Sequence, residues 1–158
     1  DTQADWYLLL CDLVREHGME HYEISNFARP GFRSRHNSRY WRQEEYLGFG
    51  PGAHSDFGGV RLENPRSLEQ WLTGEPEVED DDIDRAAECL MLSLRTSDGV
   101  DAVQFENRFA RSFAPVERVL EPLITRGCVR RDGTRWSLTE NGFLLSNPIL
   151  VSVLEAVE

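Results

Sequence analysis

Glycine and proline set the limits on what this chain can build. Twelve glycines and seven prolines cut it into short pieces, because glycine frees the backbone for turns and proline removes a hydrogen-bond donor. Residues 3–17 carry Trp6, Leu9, Leu10, Leu13 and Val14 at helical spacing, and Gly18 stands where a left-handed cap is expected. A strand is predicted over residues 20–25, where Tyr22 and Ile24 alternate with Glu23 and Ser25, and Asn26 with Ala28-Arg29-Pro30-Gly31 ends it. Tyr46 to Gly50 reads as a second short strand, turned by Gly50-Pro51-Gly52 into Ala53-His54-Ser55. Helix, turn and strand make half of an α/β unit.

Beyond Gly58-Gly59 the pattern becomes mostly helical. Asn64 and Pro65 read as the cap and first residue of a helix with Leu68, Trp71 and Leu72 that stops at Gly74. The acidic run Glu75–Asp84 reads as a solvated linker that places Asp81 or Asp82 at a helix N-terminus. The next helix buries Ile83, Ala87, Leu90, Met91 and Leu94. Asp101 caps another with Phe105 and Phe109, and Pro115 opens a third that Pro122 should bend. Asp132-Gly133 marks a hairpin between 128–131 and 135–138, and Thr139 caps one final helix running to Leu154. Three helices, a hairpin and a flanking helix suggest a winged-helix-like core, so the fold class is α+β, with domains at 1–60 and 61–158.

Charge narrows the function. A net charge of -11 and a pI near 4.8 argue against a nucleic-acid partner, whose phosphates recruit basic surfaces. No apolar run reaches the roughly 20 residues of a transmembrane helix, and the start lacks a secretory signal, which together suggest a cytoplasmic protein. Cys11, Cys89 and Cys128 show no zinc or iron–sulfur spacing and read as buried thiols.

One stretch looks built for a ligand. From Arg29 to Arg42 run Arg29, Arg33, Arg35, Arg39 and Arg42 with no acidic residue between them. Within it, His36 and Tyr40 stand four residues apart, so a helical turn puts imidazole and phenol on one face. The plainer alternative is that His36 and Asn37 fix a loop through backbone bonds. Gly48, Gly50 and Gly52 alternate, and on a strand they would leave one face bare for a ligand or another backbone. His54 follows, as a lining residue or a structural one.

YEISNFARPG (22–31), HNSRYW (36–41), YLGFGPGAHS (46–55), MLSLRTSDGV (91–100) and LTENGFLLSN (138–147) occur in the order found in radical SAM proteins. The chain resembles the C-terminal portion of oxygen-independent coproporphyrinogen III oxidase, and within that family the haem-chaperone branch. The resemblance implies that residues 1 to about 60 end a partial α/β, TIM-like barrel and that a mostly helical domain follows. It implies S-adenosyl-L-methionine and a [4Fe–4S] cluster in the intact protein, on cysteines outside this chain, which alone should then be inactive. It further implies haem or porphyrin as ligand, with a haem-acceptor protein as possible partner. The family's HNxxY motif falls on His36, Asn37 and Tyr40, which makes His36 the candidate iron ligand. Arg35 and Arg39 become candidates for the propionates, and Gly48, Gly50, Gly52 and His54 for the barrel mouth. The expected role is haem binding and delivery rather than oxidative decarboxylation; the alternative is a non-catalytic interaction scaffold.

Overall fold

A computed structural model describes residues 2–74, 77–78 and 83–157. Helix α1, Thr2–Glu16, ends as its glycine predicts. Gly18 has φ +71°, its N–H donates to the Arg15 carbonyl at 3.0 Å, and that of Met19 donates to Val14 at 2.9 Å, the paired bonds of a Schellman cap. Its apolar stripe is only partly covered. Trp6, Leu9, Leu10 and Leu13 are exposed, Trp6 by 66 %, while Tyr7 and Cys11 turn inward.

Strands β1, Glu20–Glu23, and β2, Asn26–Ala28, pair antiparallel. The predicted single strand to Ser25 is therefore a hairpin, with Asn26 starting its return. The physical cause is the buried Glu23 carboxylate, which accepts the Ser25 N–H at 3.1 Å and the Asn26 side-chain amide and so holds the turn closed. Ile24 donates to the Arg95 carbonyl at 2.9 Å and Ser97 to that of Tyr22 at 3.0 Å, which seats the hairpin on a later loop.

Helix α2, Arg35–Trp41, is followed by β3, His54–Phe57, and β4, Val60–Glu63. Gly58 and Gly59, at φ +61° and +80°, form the tight turn between them, a connection that favours residues of positive φ. Val60 thus opens β4 opposite Phe57 of β3. Tyr46–Gly50 is not a strand: Tyr46 makes one isolated bridge to Asp56, and the Gly48 and Gly50 carbonyls accept the Asn64 side-chain amide at 3.4 and 2.9 Å. Asn64 therefore does not cap the next helix. That helix, α3, Leu68–Thr73, starts at Ser67, whose side chain accepts the Gln70 N–H. Strand β5, Glu77–Val78, pairs with β4.

The remaining elements are α4, Arg85–Ser93, β6, Val100–Asp101, α5, Ala102–Phe109, α6, Ala114–Ile124, β7, Val129–Asp132, β8, Arg135–Leu138, α7, Glu140–Leu144, and α8, Ser146–Glu155. Asp84 caps α4; Asp81 and Asp82 lie outside the described residues. Ala86, rather than Ala87, joins Leu90 and Leu94 in the core. The β7–β8 turn is Gly133-Thr134, one residue later than expected, since Asp132 pairs with Arg135. The predicted single final helix breaks at Leu145, because Pro148 has no N–H for the Leu144 carbonyl. The sheet order is β6–β8–β7. Trp136 on β8 is wholly buried among Leu90, Leu94, Val116, Leu120 and Val153, so the core lies between this sheet and α4, α6 and α8.

Candidate functional site

Ser34 starts α2 where Arg35 to Trp41 can wind freely. Its hydroxyl oxygen accepts the Asn37 N–H at 3.2 Å, and its carbonyl accepts the Ser38 hydroxyl at 2.7 Å. One helical turn later His36 and Tyr40 meet as their spacing predicts. The Tyr40 hydroxyl lies 3.2 Å from His36 Nε2, and the rings are perpendicular with centroids 4.9 Å apart. Tyr46 stands edge-on to Tyr40 at 4.4 Å. Both His36 and Tyr40 are exposed and Asn37 is half-buried. The result is a surface triad that offers imidazole and phenol donors to solvent.

The arginines divide. Arg33 is bound, to Glu20 at 2.9 Å and Asp98 at 2.8 Å. Arg42 pairs with Glu44 at 3.4 Å, and Arg39 donates to the Glu45 carbonyl at 3.3 Å. Arg35 and Arg29 are exposed, and among the described residues neither makes an ion pair. Arg35 and Arg39 lie one helical turn apart and flank the His36–Tyr40 face. The opposite face of α2 is different: Ser38 and Trp41 line a cavity of about 320 Å³ together with Tyr22, Phe105 and Arg108.

The glycines do not form the bare strand face that their alternation suggests. Gly48 presses against the next strand, where an added Cβ would sit 2.1 Å from the His54 carbonyl oxygen. Gly50 and Gly52 have φ of +105° and +65°, and the Gly52 N–H donates to the carbonyls of Asn64 and Pro65 at 3.2 and 3.0 Å. His54 is exposed at the start of β3, paired with Glu63. Gly48 and His54 are thus together, and Tyr46 links them to the triad: it touches Tyr40 and bridges Asp56.

What holds α2 in place is absent from the sequence reading. Gln43, at φ +53°, donates from its side chain to the Arg85 carbonyl at 3.1 Å and the Glu88 carboxylate at 2.8 Å. Glu88 pairs with Arg61 at 2.6 Å, Arg61 with Asp56 at 3.0 Å, and Arg85 grips both Asp56 oxygens at 2.5 and 2.9 Å. Hydrogen bonds from Arg85, then from Arg61, hold the Asp56 carboxyl below the usual range. Burial pushes the Tyr46 phenol up. No local motif signals this network, because its members come from α4, two strands and a loop.

Helix-to-strand order at the start, a β6–β8–β7 sheet among helices and an exposed His–Tyr pair make up an α+β chain. The solved structure of coproporphyrinogen III oxidase (HemN) from Escherichia coli, described as a radical SAM enzyme, superposes with a TM-score of 0.65 over 92 % of this chain and 39 % of its own, at 19 % identity. Residues 80–145 match the family described as HemN C-terminal domain. The Heme chaperone HemW of Lactococcus lactis is 34 % identical over 98 % of this chain and 42 % of its own length, and that of Bacillus subtilis 31 % over 98 % and 43 %. The chain is thus similar to the HemW chaperones over nearly its whole length and to the HemN C-terminal domain through residues 80–145, and it spans about two fifths of the length of these relatives. No helix among the described residues is long and apolar enough to cross a membrane.

Proposed function

We propose that this chain is the haem-contacting part of a radical SAM protein that binds haem and delivers it to an acceptor protein. The observation that carries the reading is the His36–Tyr40 pair, two potential iron donors 3.2 Å apart on an open helix face. The names of the relatives, heme chaperones, support the same direction. His36 Nε2 would exchange its contact with the Tyr40 hydroxyl for iron, and Arg35 and Arg39 would meet the propionates as guanidinium–carboxylate forks. Asn37 acts through the helix: its N–H completes the Ser34 cap.

The order α4–β6–α5–α6–β7–β8 and the β6–β8–β7 sheet support a winged-helix-like core serving as scaffold and docking module. Residues 1 to about 60 are assigned to the end of the barrel on the α1-to-β1 order and on the likeness to the oxidase. S-adenosyl-L-methionine and its [4Fe–4S] cluster belong to the whole protein in this reading. Cys11, Cys89 and Cys128 do not converge among the described residues.

The test is a haem titration of this chain followed by the Soret band. Wild type is expected to shift the band at one equivalent, and His36→Ala to lose most of the shift; equal titrations would remove His36 from the site. For the whole protein, protoporphyrinogen formation from coproporphyrinogen III under anaerobic, reducing conditions would replace delivery by oxidation.

A further inference from the structure

We propose that Cys11, His21 and Glu140 form a binding site for one divalent transition-metal ion of the zinc type. They come from α1, β1 and α7, yet the Cys11 sulfur, an imidazole nitrogen and a carboxylate oxygen all lie within 4.8 Å of one another. Zinc bonds of about 2.0–2.3 Å in a tetrahedron set such atoms about 3.5 Å apart. Cys11 Sγ and His21 Nδ1 already stand at 3.9 Å. A contraction of about an ångström completes the set.

The ligands are held in advance. The His21 ring is stacked on Phe27 with centroids 4.4 Å apart and is met edge-on by Phe143 at 5.1 Å and Tyr7 at 5.7 Å. Its Nδ1 faces Cys11 and, at 3.5 Å, the Tyr7 hydroxyl, while Nε2 is buried without a partner. The two side-chain partners of the ring, Cys11 and Tyr7, both lie at this cluster. Glu140 gives one oxygen to Arg15 at 2.5 Å, which leaves the other for a metal and makes Arg15 the outer partner that orients the carboxylate.

Electrostatics agree with the geometry. Burial lowers the His21 pKa, which keeps the imidazole neutral and its lone pair available. Burial, with the Glu140 charge adding to it, pushes the Cys11 thiol up; burial and then Cys11 push the Tyr7 phenol up. On binding, the sulfur–metal bond forms as the thiol proton leaves to solvent. A thiolate, an imidazole and one carboxylate favour zinc or cobalt over calcium or magnesium, which take all-oxygen sets. The fourth position falls to water or Tyr7. Because the ligands span α1, β1 and α7, the metal would staple the first hairpin to the helical domain.

The experiment adds cobalt(II) to the metal-free chain. One equivalent is expected to produce tetrahedral visible bands and a near-ultraviolet sulfur-to-cobalt charge-transfer band, both bleached by zinc, and zinc is expected to raise the melting temperature. Cys11→Ser removes the charge-transfer band although Cys89 and Cys128 remain. Glu140→Gln, at a half-exposed position, weakens cobalt binding at least tenfold. Absence of the band at one equivalent, its survival in Cys11→Ser, or unchanged affinity in Glu140→Gln overturns the assignment.

Discussion

Gly48 shows how much one missing Cβ determines around the candidate haem face. A methyl group there would meet the His54 carbonyl at 2.1 Å, a backbone atom that cannot swing aside, so the loop from Tyr46 to β3 must open. Gly48→Ala is expected to cost about 1–3 kcal/mol, the range for overpacking. Gly18 is the contrasting case: its φ of +71° disfavours any side chain, but a Cβ there meets nothing within 4 Å, so Gly18→Ala costs about 1 kcal/mol through backbone conformation alone. Paired urea titrations measure the two. Only Gly48→Ala is also expected to weaken the haem binding proposed above, because Tyr46 carries its displacement to Tyr40.

At the scale of elements, the ion-pair network fixes α2 against α4 and the β3–β4 hairpin. Asp56 has its folded pKa depressed by Arg85 and Arg61, so the unfolded chain binds more protons across the interval between the folded and ordinary carboxylate values. The stabilisation is present in full above the ordinary value and is lost as pH falls through the depressed one. Asp56→Asn is expected to flatten this acid limb in urea midpoints measured at successively lower pH. At neutral pH Asp56→Ala costs about 1–3 kcal/mol, since Arg61 and Arg85 lose the carboxylate they share and keep only Glu88. Asp84 caps α4 by accepting the Ala86 and Ala87 N–H groups at 3.0 and 3.1 Å, and Asp84→Ala costs about 1 kcal/mol. Elements with local signals are legible in the sequence. Gly18 ends α1, Asp101 caps α5, Thr139 caps α7, and the spacing of His36 and Tyr40 predicts their contact. What pattern reading misses depends on distant partners. Asn64 looks like a cap until Gly48 and Gly50 claim its amide, and Asp56 is one acid among many until two arginines converge on it.

The molecule as a whole divides its apolar residues unequally. Leu120, wholly buried, belongs to one contiguous core running from Ala86 to Val153, with Tyr7 and Ile24 as its contacts from the first part of the chain. The periodicity of α1 is that of a buried helix, yet Leu9 is 47 % exposed and only its Tyr7–Cys11 side is covered. Helical spacing says that a face is apolar; it does not say which element covers it. The same residue type therefore carries different weight at the two positions. Leu120→Ala removes close-packed contacts within this core and is expected to cost about 2–5 kcal/mol. Leu9→Ala exchanges one solvated side chain for a smaller one and stays within about 0.5 kcal/mol. Urea denaturation of the two variants of this chain decides the matter, and a loss at Leu9 equal to that at Leu120 would mean that α1 is covered in solution by a surface that its own fold does not supply.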